Sequence, residues 1–238
     1  MYAIGDIHGQ KAMLDAALTR IEADGGADAH IVFLGDYLDR GPDSQAVIKT
    51  LIAGVEAGRN WTILKGNHDR YLVRFLNDAH YRDPDTHENL SWLSPRIGGR
   101  ETLASYGVDA SEDRAVEAIH ADALKAIPQE HADFIKDLDL MHVTDDLICV
   151  HAGIRPGVAL QDQVEEDLIW IRKGFLDDQT DHGRLVVHGH TALEAPQHFG
   201  NRIDLDSGAG YGRPITAAVF EGRTCFVLND ADRVPLVP

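Results

Sequence analysis

Cysteine, positive charge and long apolar runs are all scarce in this chain of 238 residues. Only two cysteines occur, Cys149 and Cys225. Each lies in an apolar, strand-like run without a CxxC neighbour, so buried, reduced thiols are the expectation. No apolar run approaches the roughly 20 residues needed to span a bilayer. The first residues show no basic region followed by a hydrophobic stretch and cleavage site, and Tyr2-Ala3-Ile4 already reads as a strand. A cytoplasmic protein with no membrane partner is expected. Lysine and arginine number 22 against 39 aspartates and glutamates, a net charge of -17. Such a surface repels polyanions, so a nucleic-acid polymer is not an expected partner. Small phosphorylated substrates stay open, because bound cations invert the field around them. Repeats, low-complexity tracts and linkers are also missing, and a single domain over residues 1–238 follows.

What the chain does have is five short segments rich in Asp, Asn and His. They are Gly5-Asp6-Ile7-His8-Gly9, Gly35-Asp36-Tyr37-Leu38-Asp39-Arg40-Gly41, Gly66-Asn67-His68-Asp69, His151-Ala152-Gly153 and His188-Gly189-His190-Thr191. Their oxygen and nitrogen donors suit divalent cations of borderline hardness. Several follow an aliphatic or β-branched run, which places the donors where strands end.

The first third of the chain reads β-α-β-α-β. Tyr2–Ile4, Ile31–Leu34 and Trp61–Leu64 are the strands. Leu14, Leu18 and Ile21 mark the first helix, which Gly25-Gly26 closes. Val47, Ile48, Leu51, Ile52 and Val55 share a face of the second, which starts at Pro42-Asp43-Ser44. Alternation of this kind implies right-handed crossovers and a largely parallel sheet, with ligands at the carboxyl ends of its strands. Residues 70–145 are polar and mostly helical, with loop signals at Asp83-Pro84-Asp85 and Ser94-Pro95, and read as an insertion beside the site. His80, His87, His120, His131 and His142 within it lack a strand-end setting and read as surface or local structural residues. Strands return at Leu147–Val150 and Leu185–Val187. Arg202–Leu205, Ile215–Phe220 and Thr224–Leu228 then predict an antiparallel tail, with a hairpin at Glu221-Gly222-Arg223.

Asp6-x-His8, Gly35-Asp36-x-x-Asp39-Arg40-Gly41, Gly66-Asn67-His68 and the later His-Ala-Gly and Gly-His-Thr together resemble the calcineurin-like metallophosphoesterase superfamily. Asp-Tyr-Leu-Asp-Arg-Gly is similar to the motif of the phosphoprotein phosphatases, above all their bacterial and phage serine/threonine members. The resemblance spans residue 3 to about residue 220. It implies an α/β fold: a four-layer α/β/β/α sandwich with mixed sheets and a helical insertion over about 70–145. It also implies two divalent metal ions, manganese first, with iron or zinc as alternatives. Asp6, His8 and Asp36 would hold the first cation; Asp36, Asn67, His151 and His190 would hold the second, with Asp36 bridging. A carboxylate can span two cations about 3.5–4 Å apart, and such a pair clamps both oxygens of a phosphoryl transfer.

On that resemblance the reaction is direct attack of metal-bound hydroxide on phosphorus, without a phosphoenzyme. His68 would be the general acid, oriented by Asp39 and kept protonated by it. Asn67, Arg40 and Arg172 would meet the substrate phosphate, Arg172 by the similarity of Leu168-Ile169-Trp170-Ile171-Arg172 to bacterial relatives. His188 adjoins a ligand without matching a ligand position and reads as structural. Gly208-Ala209-Gly210-Tyr211-Gly212 opens no clear helix, so it is no dinucleotide or P-loop motif; it resembles the family's loop near the active site, with Tyr211 bordering the substrate. Ala192 stands where many superfamily members carry another His, which favours the phosphoprotein phosphatase branch. Asp69 stands where eukaryotic protein phosphatases usually have Glu.

The leading expectation is hydrolysis of phosphoserine and phosphothreonine monoesters on a phosphorylated protein. Gly98-Gly99-Arg100-Glu101-Thr102-Leu103 and Ser105-Tyr106-Gly107 also resemble bacterial phosphatases. The alternative is hydrolysis of diadenosine tetraphosphate, other dinucleoside polyphosphates or other nucleotides, which Asp69 and His151-Ala152-Gly153-Ile154 fit equally well; the partner is then a phosphorylated protein or a small phosphoester. A binding module on a retired enzyme fold is a third reading, opposed by the intact set of ligands with Asp39, Arg40 and His68.

Overall fold

The computed structural model describes residues 1–84, 86 and 90–238. Asp85 of the loop signal and His87 lie outside the described residues. The chain opens with β1 (Tyr2–Ile4), α1 (Lys11–Gly25), β2 (Ile31–Phe33), α2 (Ser44–Glu56) and β3 (Trp61–Ile63). β1, β2 and β3 pair in parallel, Tyr2 opposite Ile31 and Ile31 opposite Trp61. Leu14 and Ile21 of α1 and Val47, Ile48 and Leu51 of α2 are buried, whereas Val55 is 49% exposed. The apolar face of α2 therefore stops before its last turn.

Next come α3 (Asn67–Asn77), α4 (Gly99–Ser105), α5 (Val116–Ala126), α6 (Gln129–Lys136) and β4 (Met141–Val143). The helical stretch thus starts at Asn67, earlier than residue 70, and gives way to a strand before residue 145. The early start has a local cause: Asp69 accepts the Gly66 N–H at 2.8 Å, three residues back, and caps the first turn. Among the other histidines of this stretch, His80 pairs with Glu117 at 2.9 Å on the surface. His131 is buried against the Tyr106 hydroxyl at 2.8 Å, and His120 meets the Leu76 carbonyl at 3.2 Å.

The remaining elements are β5 (Leu147–Val150), α7 (Glu165–Trp170), β6 (Leu185–His188), β7 (Gln197–His198), β8 (Arg202–Asp204), β9 (Ala217–Glu221), β10 (Thr224–Leu228) and β11 (Arg233–Leu236). One sheet runs β11-β10-β9-β1-β2-β3 and the other β4-β5-β6-β8-β7. The expected antiparallel tail is corrected here. β8 lies parallel to β6 in the second sheet, while β9 returns antiparallel to β1 and forms the expected hairpin with β10. A three-residue strand carries no sign of its direction, so Arg202–Asp204 could not be placed from pattern alone.

Alternation along the strands builds the layers. Ala3, Val32, Cys149, Leu185 and Val187 meet between the sheets, together with Leu147, Ile203 and Phe220. Tyr2, Ile4, Ile31 and Phe33 face the opposite way, into the core shared with α1 to α6. Ile148, Val150 and Val186 pack on the far side against Leu168 and Ile169 of α7. The result is the expected four-layer α/β/β/α sandwich with two mixed sheets. Both cysteines are free and buried, and burial pushes their thiols up to about 12. Among the described residues no helix is long and apolar enough to cross a membrane.

Candidate metal centre

Six parallel strand ends deliver the polar residues to one place. β1 leads to Asp6 and His8, β2 to Asp36, Asp39 and Arg40, and β3 to Asn67 and His68; β5 leads to His151, β6 to His190 and β8 to Asp206. The loops are tied to one another through backbone. His8 N–H donates to the Asp36 carbonyl at 2.8 Å, and Gly189 N–H to the His151 carbonyl at 2.8 Å. A Cβ at Gly189 would collide with Asp6 Oδ1, so only glycine lets that loop close on the first one. The five non-glycine residues of positive φ among the described residues are His8, Asp36, Asp39, Arg40 and His190. All five belong to the expected site.

The two oxygens of Asp36 face two groups of donors. Oδ2 lies 3.6 Å from His8 Nε2 and 4.0 Å from His68 Nε2, while Oδ1 lies 3.3 Å from His151 Nε2. Asn67 Oδ1 sits 3.0 Å from His151 Nε2 and 2.8 Å from His190 Nδ1. Asp6 stands 3.9 Å from His8 and accepts the His190 backbone N–H at 3.1 Å. Donor atoms of Asp36, His151 and His190 lie within 4.8 Å of one another, as do those of His8, Asp36 and His68. All of these side chains are buried.

Such a cluster is short of positive charge. Burial pushes the carboxyls of Asp6 and Asp36 up, Asp36 to about 7, and the neighbouring Asp206 carboxylate pushes both further in the same direction. Burial drives the imidazoles of His8, His151 and His190 down, His151 to about 4. Neutral imidazoles beside crowded buried carboxylates, with His190 Nε2 buried and unpartnered, form a donor set that fits divalent cations.

The expected acid pair is formed, with one correction. His68 Nδ1 meets Asp39 Oδ2 at 2.7 Å. The imidazole is nevertheless pushed well below its usual range, by burial first and then by Arg40, whose guanidinium donates to His68 Nε2 at 3.0 Å and to His8 Nε2 at 2.8 Å. Arg40 can only donate to His68 Nε2, so Nδ1 is the nitrogen that donates to Asp39, and the direction of the shift opposes the expected resting imidazolium. The sequence reading also missed what holds Asp39. Trp92 Nε1 donates to both its oxygens at 3.0 Å and Thr102 Oγ1 to one at 2.7 Å. A lone tryptophan in a polar stretch is the only sequence signal for that role.

Arg172 reaches the same region and donates to the His190 carbonyl at 3.0 Å. It lines a cavity of about 260 Å³ with Asp36, Arg40, Asn67, His68 and His190, and the outer wall includes Arg96, Trp170 and Tyr211. Tyr211 is 65% exposed, with the Arg40 guanidinium 5.1 Å from its ring centre. His188 stays outside the cluster as expected: it is fully buried, meets Arg202 at 3.2 Å and is driven down to about 3 by burial. Asp69 faces away from the cavity and accepts the backbone N–H groups of Asp36, Tyr37 and Gly66. Asp206 was missed; Asp204-x-Asp206-x-Gly208 directly after a strand was its signal.

Known proteins resemble this chain along most of its length. The asymmetrical bis(5'-nucleosyl)-tetraphosphatase PrpE of Bacillus mycoides strain KBAB4 is 23% identical over 90% of this chain and 87% of its own. Serine/threonine-protein phosphatase 1 of Salmonella typhimurium is 28% identical over 92% of this chain and 90% of its own. A crystal structure with a provisional diadenosine tetraphosphatase name superposes with a TM-score of 0.64 at 22% identity, over 99% of this chain and 93% of that one. The family of calcineurin-like phosphoesterases matches residues 1–214. The chain belongs to that family.

Proposed function

We propose that the cluster is a two-metal centre that hydrolyses phosphoesters. The observation that carries this reading is Asp36, whose two oxygens face separate sets of donors, a placement that suits a bridging carboxylate. Asp6, His8 and Asp36 would hold one divalent cation; Asp36, Asn67, His151 and His190 would hold the other. Bound there, the cations would lower the pKa of water and polarise the phosphoryl oxygens. The chain's own residues do the rest. Arg40 and Arg172 converge on the cavity as forked donors to phosphate oxygens, and the Asn67 amide lies beside them. A phosphate dianion takes over the Arg40 donors that now meet His8 and His68. Its charge reverses the field at His68 and raises the imidazole, so Nε2 can take up a proton from solvent and pass it to the leaving oxygen while Asp39 holds Nδ1.

Two substrate classes remain in play. Phosphoserine and phosphothreonine monoesters are supported by Asp-Tyr-Leu-Asp-Arg-Gly and by the similarity to the Salmonella protein. Dinucleoside polyphosphates are supported by the similarity to the Bacillus protein and by one specific feature: the exposed Tyr211 ring beside the cavity offers a face on which a base can stack. Turnover of p-nitrophenyl phosphate, a phosphoserine peptide and diadenosine tetraphosphate, each with manganese, tests the reading. Hydrolysis of at least one, abolished by a chelator, is expected. No turnover with manganese, iron or zinc would reject the hydrolase.

A further inference from the structure

Arg96 shares the cavity with Asp36, Asn67, His68 and His190 without belonging to the metal cluster. It is exposed, and among the described residues it makes no hydrogen bond or ion pair. Arg20, Arg59, Arg114, Arg155 and Arg233 all have carboxylate partners. Among the described residues that line the cavity, Asp36 is the only carboxylate. Three guanidiniums, Arg40, Arg96 and Arg172, thus line one cavity of an acidic chain.

The position of Arg96 relative to Arg40 is set by backbone. Ile97 and Gly98 N–H both donate to the Ser94 carbonyl, at 2.9 and 3.0 Å, and Arg40 N–H donates to the Gly98 carbonyl at 3.2 Å. Gly98 has a φ of +93°, and a Cβ there would collide with the Arg40 nitrogen. The turn carrying Arg96 is thus stitched to the residue that would grip the scissile phosphate. A guanidinium fork matches phosphate oxygens in pairs, so a second fork carried on backbone tied to Arg40 suits a second phosphate.

We propose that Arg96 is a specificity-determining residue: it binds a phosphate adjacent to the one being cleaved and so selects polyphosphate chains over single phosphomonoesters. The proposal rests on the reading of this cavity as a hydrolytic site. Its test is the selectivity of the manganese-loaded wild type, Arg96→Ala and Arg96→Lys. The ratio of kcat/KM for diadenosine tetraphosphate to that for p-nitrophenyl phosphate should fall at least tenfold in Arg96→Ala, chiefly through KM, and recover in part in Arg96→Lys. A ratio unchanged within twofold overturns the proposal. So does a loss of selectivity confined to a phosphoserine peptide with acidic neighbours, because the contact would then read carboxylates. Wild type inactive on every substrate would instead count against the hydrolase. Titration calorimetry with inorganic tripolyphosphate and orthophosphate then decides: Arg96→Ala should weaken the first at least tenfold more than the second, and equal weakening overturns the proposal.

Discussion

Asp39 shows how a single side chain can be committed to one partner. Its carboxylate is fully buried, and desolvation pushes its pKa well above the usual carboxylate range while the Thr102 and Trp92 hydrogen bonds pull the other way. With Trp92 and Thr102 occupying its other lone pairs, the one remaining direction points at His68 Nδ1. The ring is thereby fixed in the tautomer that leaves Nε2 facing the cavity. If His68 supplies the leaving-group proton, His68→Asn should leave bound metal unchanged and slow hydrolysis of a phosphoserine peptide by about 10²–10⁴. A p-nitrophenolate departs without a proton, so p-nitrophenyl phosphate should suffer much less. Metal analysis and paired turnover measurements check this, and equal slowing of the two substrates would remove the acid role.

The loops between strands and helices carry both the chemistry and its strain. Left-handed backbone at His8, Asp36, Asp39, Arg40 and His190 costs about 1–3 kcal/mol at each position and persists only where the surroundings enforce it. Asp69 is one such enforcer, because it joins the loop after β2 to the start of α3 by accepting three backbone N–H groups. Asp69→Ala leaves those donors buried without a partner. A stability loss of about 3 kcal/mol in chelator is expected, with weaker metal binding, since Asp36 and Asn67 flank the bonds that are lost. Chemical denaturation and a manganese titration check both, and an unchanged midpoint would show that the loops hold without Asp69.

The donors at the ends of β1, β2, β3, β5 and β6 were legible because an apolar run followed by Asp, Asn or His is a local pattern. What holds them was not local. Trp92 and Thr102 reach Asp39 across 53 and 63 residues of chain, through a segment whose own composition says only that it is polar. The downward shift of His68 was equally hidden, since it needs the Arg40 guanidinium in space and not its place after Asp39 in sequence. β7 and β11 are as short as the strands that carry the site, but neither leads into one of the segments rich in Asp, Asn and His, so those sheet edges were lost while the site strands were found.

For the molecule as a whole, the buried charges set how stability depends on pH. The carboxyls of Asp36 and Asp69 are raised, to about 7 and about 8, both by burial first. The folded state therefore keeps protons that the unfolded chain has released, and this contribution is full below the unfolded value near 3.8 and is lost as pH rises through the folded values. The imidazoles of His151 and His188 are lowered by burial, to about 4 and about 3, and act with the opposite sign: they cost stability at low pH, and the cost disappears as pH rises to the usual value of 6.5. The two trends oppose each other below pH 6.5. Above it only the carboxyls still titrate, so metal-free protein should lose on the order of 2 kcal/mol between about pH 6.5 and 8. Cations bound by Asp36 would remove its share of the loss by stabilising the ionised form, so the gain in Tm from manganese should grow with pH over that interval. Thermal melts in chelator and in manganese at pH 6.5, 7.25 and 8 measure both slopes. A chelated protein whose Tm is flat or rises over the interval would show that Asp36 and Asp69 are ionised without a cation, and the crowded carboxylates would no longer argue for a metal.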